Sequence, residues 1–153
     1  MTELTFRNVD ASPDDLVVEW PLEAIQTALE RGSLKHWRRL AAEIRAEPWG
    51  SVARQVEDVL AYSRPYGVDK LMERVISDTR ESVKRDEREA VAAEVAELVE
   101  ASGLSRAEFA ADIGTSASRL STYLSGKVTP SAALMVRMRR LAAPHEGANL
   151  HRT

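Results

Sequence analysis

Residues 103–131 read GLSRAEFAADIGTSASRLSTYLSGKVTPS, a stretch in which signals that stop a helix alternate with signals that start one. Gly103 is the expected left-handed end of a preceding helix. Ser105 opens a capping box with the glutamate that follows three residues later, because each side chain can bond the other's backbone amide. Gly114 and Gly126 repeat the stop signal. This punctuation predicts two short helices joined by a tight turn at Gly114.

The apolar residues around these signals have helical spacing. The positions predicted to face the core are, in chain order, Val91, Val95, Leu98 and Val99; Phe109, Ala110 and Ile113; Leu120, Tyr123 and Leu124; and Leu134, Met135, Met138 and Leu141. Thr129-Pro130 is expected to cap the last helix. Two short helices held between two longer ones is the order of a helix-turn-helix domain. Its second short helix must stand clear of the bundle to enter a major groove about 12 Å wide.

The segment from about residue 88 to residue 142 resembles the XRE, or lambda-repressor-like, helix-turn-helix family. The resemblance is carried by four runs that fall in register: residues 103–110, 113–116, 120–127 and 130–131. It implies a lambda-repressor-like bundle that binds double-stranded DNA. Two positions depart from the common pattern: Arg106 stands where glutamine is usual, and Ala117 stands where many members carry a polar base-reading residue. Residues 1–77 resemble, more loosely, the N-terminal domains of actinobacterial XRE-type regulators, and that likeness assigns no activity.

The second short helix is predicted to read DNA with the face that the core leaves free. That face carries small hydroxyls and one arginine, which permit close approach and can bond base edges or phosphates. With the flanking turns, the predicted DNA-contacting residues are Arg106, Thr115, Ser116, Ala117, Ser118, Arg119, Ser121, Thr122 and Lys127. Arg119 is the strongest candidate, either as a bidentate partner of guanine or as a phosphate contact. The alternative is an ordinary solvated helix surface.

Five other basic residues lie in this region. Arg106 opens its helix, where free amides and the helix dipole attract a phosphate, and the resemblance implies contact with the DNA backbone or an outer base. Lys127 follows the reading helix and is expected to meet a phosphate. The three arginines near the C-terminus of the last helix are as well explained by compensation of the helix dipole; they are Arg137, Arg139 and Arg140.

The rest of the chain is also predicted to be helical, which makes the fold class all-α. A β-like run at Leu4-Thr5-Phe6 precedes about four short helices, and the first of these begins at Pro21. The predicted organisation is a helical domain over residues 1–77 for dimerisation or partner binding, a charged helical connector over 78–89, the helix-turn-helix domain over 90–142 and a flexible tail over 143–153.

Composition limits the possible functions of the 153 residues. The absence of cysteine excludes a disulfide framework, a thiolate zinc site and a cysteine nucleophile. No apolar run approaches the ~20 residues of a membrane helix, so we expect a cytoplasmic protein. The three histidines have no metal-ligand spacing, and no phosphate loop or nucleophile motif is present. We therefore expect no enzymatic activity, no metal and no cofactor.

The charge is distributed unevenly. The net charge is -3, yet residues 103–153 carry seven basic and three acidic residues. This asymmetry is expected when only one part of a chain meets a polyanion. A second basic group, at residues 31–39, surrounds Trp37, but Trp37 shares the stripe of Leu34 and Ile44 and is expected in the core.

Three functional hypotheses follow. The first is a transcriptional regulator, a repressor that acts as a homodimer on a palindromic operator. The second is an antitoxin whose N-terminal domain binds a toxin, with Tyr66, Leu71 and Val75 either forming the partner surface or closing the bundle. The third is a protein–protein adaptor, which the basic C-terminal segment argues against.

Overall fold

Helices make up all the regular secondary structure of residues 3–144, the part of the chain that the computed structural model describes. This confirms the predicted all-α class. After a single turn of 3-10 helix (Val17–Glu19), the helices are α1 (Leu22–Arg31), α2 (Leu34–Ala46), α3 (Ser51–Leu60), α4 (Val68–Ser102), α5 (Arg106–Ile113), α6 (Ala117–Leu124) and α7 (Ala132–Ala142). None of the helices within residues 3–144 combines the length and the apolar character that a membrane span requires. The tail proposed for residues 143–153 lies outside the described residues from His145 onward.

The described chain forms two compact units, one up to Val83 and the other from Lys84. Helix α4 contributes to both. Its first turns supply Val68, Met72, Val75 and Ile76 to the N-terminal core, and its last turns supply Val95 to the C-terminal core. Residues 78–89, predicted as a charged helical connector, lie inside this one helix.

The N-terminal unit packs α1, α2, α3 and the start of α4 around a hydrophobic core. The fully buried side chains of this core include Trp20, Ile25, Leu29, Leu40, Ile44, Val56 and Met72. Trp37 packs against the same core, as predicted, and its Nε1 donates to the carbonyl of Ala28 at 2.9 Å. Arg80 on α4 reaches back to α3, where its guanidinium pairs with Glu57 at 2.6 Å.

The segment before α1 lies across the N-terminal core and is held by Arg39. The guanidinium stands over the ring of Trp20, 5.0 Å from its centroid, and donates to the backbone oxygens of Pro13 and Asp15. Phe6 meets Trp20 edge to face, with ring centroids 5.2 Å apart. These contacts cover the indole of Trp20, whose exposed fraction is 1%.

Three local predictions are wrong. Pro21 is the extended cap residue before α1, which begins at Leu22, and not its first helical residue. Leu4-Thr5-Phe6 forms no strand, because Leu4 and Phe6 pack on the helices of the N-terminal core and no strand lies beside them in the described residues. The cap of α7 is Ser131, whose Oγ accepts from the amide of Leu134 at 3.1 Å, and not Thr129 followed by Pro130 in the first helical position. A hydroxyl can cap only the amide two or three residues ahead, and Ser131 has that spacing.

Replacing Arg39 by methionine tests the role of this arginine. We expect the free energy of unfolding of the N-terminal unit to fall by about 2 kcal/mol, because a cation–π contact and charge-assisted hydrogen bonds are lost together. All three tryptophans lie in this unit, so their fluorescence in a denaturant titration reports its unfolding. Arg38→Met, at an exposed position of the same helix, is the matched control. Equal losses for the two variants would contradict the prediction.

Candidate nucleic-acid interface

The C-terminal unit brings the predicted caps and stripes together around one core. Its buried residues are Val95 from α4, Phe109, Ala110 and Ile113 from α5, Leu120 and Tyr123 from α6, and Met135 and Met138 from α7. All eight belong to the stripes expected from helical spacing. Helices α5 and α6 have eight residues each, so each presents only two or three side chains to this core.

The turn between α5 and α6 is a Schellman motif centred on Gly114. Gly114 has a φ of 82°, in the left-handed region. The amide of Thr115 donates to the carbonyl of Ala110 at 2.9 Å, and the amide of Gly114 donates to that of Ala111 at 3.1 Å. These are the two bonds that define the motif. They satisfy carbonyls at the end of α5 and turn the chain so that α6 starts three residues later.

Both short helices begin at the predicted serine caps. In α5, the Oγ of Ser105 accepts from the amide of Glu108 at 3.2 Å, and the Glu108 carboxylate accepts from the amide of Ser105 at 3.4 Å. In α6, the Oγ of Ser116 accepts from the amide of Arg119 at 3.1 Å. A capping hydroxyl uses its oxygen as an acceptor and keeps its own proton, so Ser116 can still donate to a phosphate or a base.

The structure leaves most of the predicted contact residues uncovered. Those that are exposed are Arg106, Ser116, Ala117, Ser118, Arg119, Ser121 and Lys127, and those that are half-buried are Thr115 and Thr122. Seven of the nine lie in the continuous segment 115–122. Arg106 is the first residue of α5, and Lys127 follows α6. At about 100° per residue, Ser118 points most directly away from Leu120 and Tyr123, with Thr122 and Ser121 to either side of it, and Arg119 lies next to the edge of the buried face.

Two hydroxyls, one in α6 and one just after it, are bonded to the helix backbone. The hydroxyl of Thr122 donates to the carbonyl of Arg119 at 2.6 Å, so Thr122 offers a nucleic acid its methyl group and an acceptor but not its proton. The hydroxyl of Ser125 donates to the carbonyl of Thr122 at 3.1 Å. The guanidinium of Arg119, by contrast, has no hydrogen bond or ion pair with any described residue, which leaves its donors available.

A second Schellman motif ends α6 and directs the chain towards α7. Gly126 has a φ of 76°, and the amide of Lys127 donates to the carbonyl of Thr122 at 3.1 Å. A Cβ at Gly126 would lie 3.7 Å from the Arg88 carbonyl oxygen and from the Ala92 side chain. The loop after α6 therefore packs closely on α4, which places the side chain of Lys127 at the surface.

The three arginines of α7 have different surroundings. The Nη1 of Arg137 donates to the carbonyl of Ile113 at 3.1 Å, which ties α7 to the turn after α5. The Nε of Arg139 pairs with Glu94 on α4 at 2.9 Å, and this hydrogen bond raises the pKa of Arg139 above its usual value. Arg140 is exposed and has no hydrogen bond or ion pair within residues 3–144. The bond from Arg137 had no signal in the sequence, because it joins residues 24 positions apart.

Part of the basic group of α2 makes structural contacts, while Lys35 and Arg38 are exposed. Trp37 and Arg39 face the N-terminal core, as described above. The Nδ1 of His36 accepts from the amide of Ser33 at 3.1 Å, at the start of α2. Burial, and then the charges of Lys35 and Arg39, lower the pKa of His36 below its usual value, which favours this neutral acceptor. No group of three metal-ligating residues is present in the described part of the chain.

Comparison with known proteins agrees with this geometry. Residues 90–144 match a family model described as a helix-turn-helix domain. That segment is a helix-turn-helix domain of the XRE, or lambda-repressor-like, type, which confirms the resemblance read from residues 88–142. The chain thus carries a domain of a DNA-binding class. No curated protein and no solved structure matches the chain significantly.

Ser116→Ala tests the cap that starts α6. We expect the free energy of local unfolding of α6 to fall by about 1 kcal/mol, because the amide of Arg119 loses its acceptor. Hydrogen exchange of the α6 backbone amides in the full-length protein measures this change. Ser118→Ala is the matched control, because Ser118 is exposed and its change should stay within about 0.5 kcal/mol. Equal protection in the two variants would show that the cap contributes nothing.

Proposed function

We propose that this protein is a sequence-specific, double-stranded DNA-binding transcriptional regulator that represses by occupying a promoter. The observation that carries the proposal is the surface of α6. A helix that starts from a left-handed turn commits only Leu120, Tyr123 and part of Leu124 to the core, and its other side chains are one alanine, three small hydroxyls and one unpaired arginine. Such a helix fits a major groove, where hydroxyls and guanidinium groups bond base edges.

Charge supports a polyanionic partner. Residues 103–144 carry six basic and two acidic residues, although the whole chain is acidic. Of the six, Arg139 is paired with Glu94 and Arg137 is bonded to the turn. Arg106, Arg119 and Lys127 are exposed on or beside the two short helices and would neutralise phosphates or read bases.

One module of this size makes few base contacts, so the proposal includes a second copy. A twofold homodimer on a palindromic operator would place half-site centres about 10 bp apart, or a multiple of that distance. In this proposal the N-terminal unit supplies the contact between copies, the chain has no catalytic role, and it acts in the cytoplasm.

A partner-binding role for the N-terminal unit is the second candidate. Of the three residues considered for such a surface, Tyr66 is fully exposed and Leu71 is 41% exposed, whereas Val75 is buried in the core. The first two would form part of a toxin-binding surface if the protein is an antitoxin that regulates its own operon. Co-purification with the product of a neighbouring gene would support this role, and a stable dimer without a partner would favour the plain regulator.

The proposal is tested by selecting bound sequences from a pool of random duplexes with the full-length protein. We expect an enriched motif with twofold symmetry. Affinity for the selected duplex should fall steeply with salt, because each neutralised phosphate contributes about 0.9 to the slope of log affinity against log salt concentration. No enrichment, together with no binding to any duplex at low salt, would refute the proposal.

Arg119→Ala separates base reading from phosphate contact. We expect affinity for the selected duplex to fall by about 1–3 kcal/mol, the range for one bidentate base contact, with a much smaller loss on a random duplex. Fluorescence anisotropy with the two labelled duplexes measures both affinities. Equal losses on the two duplexes would mean that Arg119 contacts only phosphate.

A further inference from the structure

We propose that Arg137 is a positioning residue for DNA reading, which acts by holding the turn from which α6 starts. The inference rests on the proposed function, because it concerns how the reading helix is held. Arg137 lies on α7, outside the two short helices, and its Nη1 donates to the carbonyl of Ile113 at 3.1 Å. Ile113 is the last residue of α5.

The bond from Arg137 gives a hydrogen-bond donor to one of the free carbonyls at the end of α5. The last four carbonyls of a helix lack intrahelical partners. The amides of Gly114 and Thr115 take two of them, those of Ala111 and Ala110, and Arg137 takes that of Ile113. A guanidinium at this point is also favoured by the negative end of the helix dipole. Arg137 is thus the one contact in the described residues that bonds a different helix to the backbone of this turn.

The position of the guanidinium links it to the direction of α6. A Cβ built on Gly114 would lie 3.5 Å from Nη1, so the group lies directly over the left-handed residue. Helix α6 begins three residues further on and is attached to the core chiefly by Leu120 and Tyr123. With so few attachments, its angle depends strongly on the turn. Binding groups need to be held within about 0.5 Å of their productive positions.

The neighbouring arginines of α7 provide a control. Arg140 lies three residues after Arg137 on the same helix, is exposed, and has no hydrogen bond or ion pair within residues 3–144. Its replacement by methionine removes the same charge from the same helix without touching the turn. If Arg137 contributed only its positive charge to DNA binding, Arg137→Met and Arg140→Met would therefore lose the same affinity.

The experiment measures the affinity of full-length wild type, Arg137→Met, Arg137→Lys and Arg140→Met for the selected duplex and for a scrambled duplex of equal composition, each across a salt series. For Arg137→Met we expect about tenfold weaker binding of the selected duplex, as for loss of one charge-assisted hydrogen bond. Binding of the scrambled duplex and the salt slope should not change. Arg137→Lys, which keeps a donor, should retain more of the preference than Arg137→Met, and Arg140→Met should retain all of it.

The outcomes distinguish this inference from the proposed function. Equal losses on both duplexes with a salt slope shallower by about one would make Arg137 a phosphate contact and overturn the inference. Unchanged preference in Arg137→Met would overturn it as well. If Arg137→Met does not fold, Arg137→Gln, whose shorter side chain carries no charge, is measured in its place, and unchanged preference in that variant overturns the inference. A wild-type protein with no preference for any duplex would instead refute the proposed function itself.

Discussion

The geometry of the C-terminal unit depends on the left-handed backbone of Gly114. With a φ of 82°, this residue lets the amides of Gly114 and Thr115 turn back onto α5, and the chain then leaves in the direction of α6. A residue with a Cβ would meet a cost of roughly 1–2 kcal/mol in that conformation. The set of α6 side chains that face outward depends on this turn, because the turn sets the angle at which Leu120 and Tyr123 enter the core.

The shortness of α5 and α6 explains why so much of α6 is free for recognition. Helices of eight residues are not stable alone, because nucleation is costly and few hydrogen bonds follow it. Serine caps at one end and Schellman turns at the other satisfy the backbone, so the side chains are not needed for that purpose. Two buried residues anchor α6 to the core. Leu124 also packs on this core and the Thr122 hydroxyl bonds the helix backbone, whereas Ala117, Ser118, Arg119 and Ser121 are exposed, so their side chains are available for recognition.

The helices, caps and turn of this unit could be predicted from local sequence signals. The contacts between residues distant in the sequence could not. The caps at Ser105 and Ser116, the turn at Gly114 and the core stripes all depend on residues within one or two helical turns, so their spacing in the sequence determines them. The bond from Arg137 to Ile113 depends on how α7 packs against α5, which no short pattern encodes. The inward-directed hydroxyl of Thr122 is local, yet the residue type permits both a free and a bonded rotamer. The choice of contact residues therefore remains a prediction, while the helix that carries them is established.

The chemistry of α6 constrains how a DNA-binding role would work. Serine and threonine bond either member of a base pair, so hydroxyls alone discriminate weakly, and a single arginine can specify at most one guanine with two bonds. Most of the affinity of one copy would then come from phosphates, which carry no sequence information. Specificity would have to come from two copies acting together, because the binding free energies of two half-sites add and the corresponding preferences therefore multiply. In the proposed dimer the N-terminal unit, whose core is separate from that of the helix-turn-helix domain, would supply the contact with the second copy.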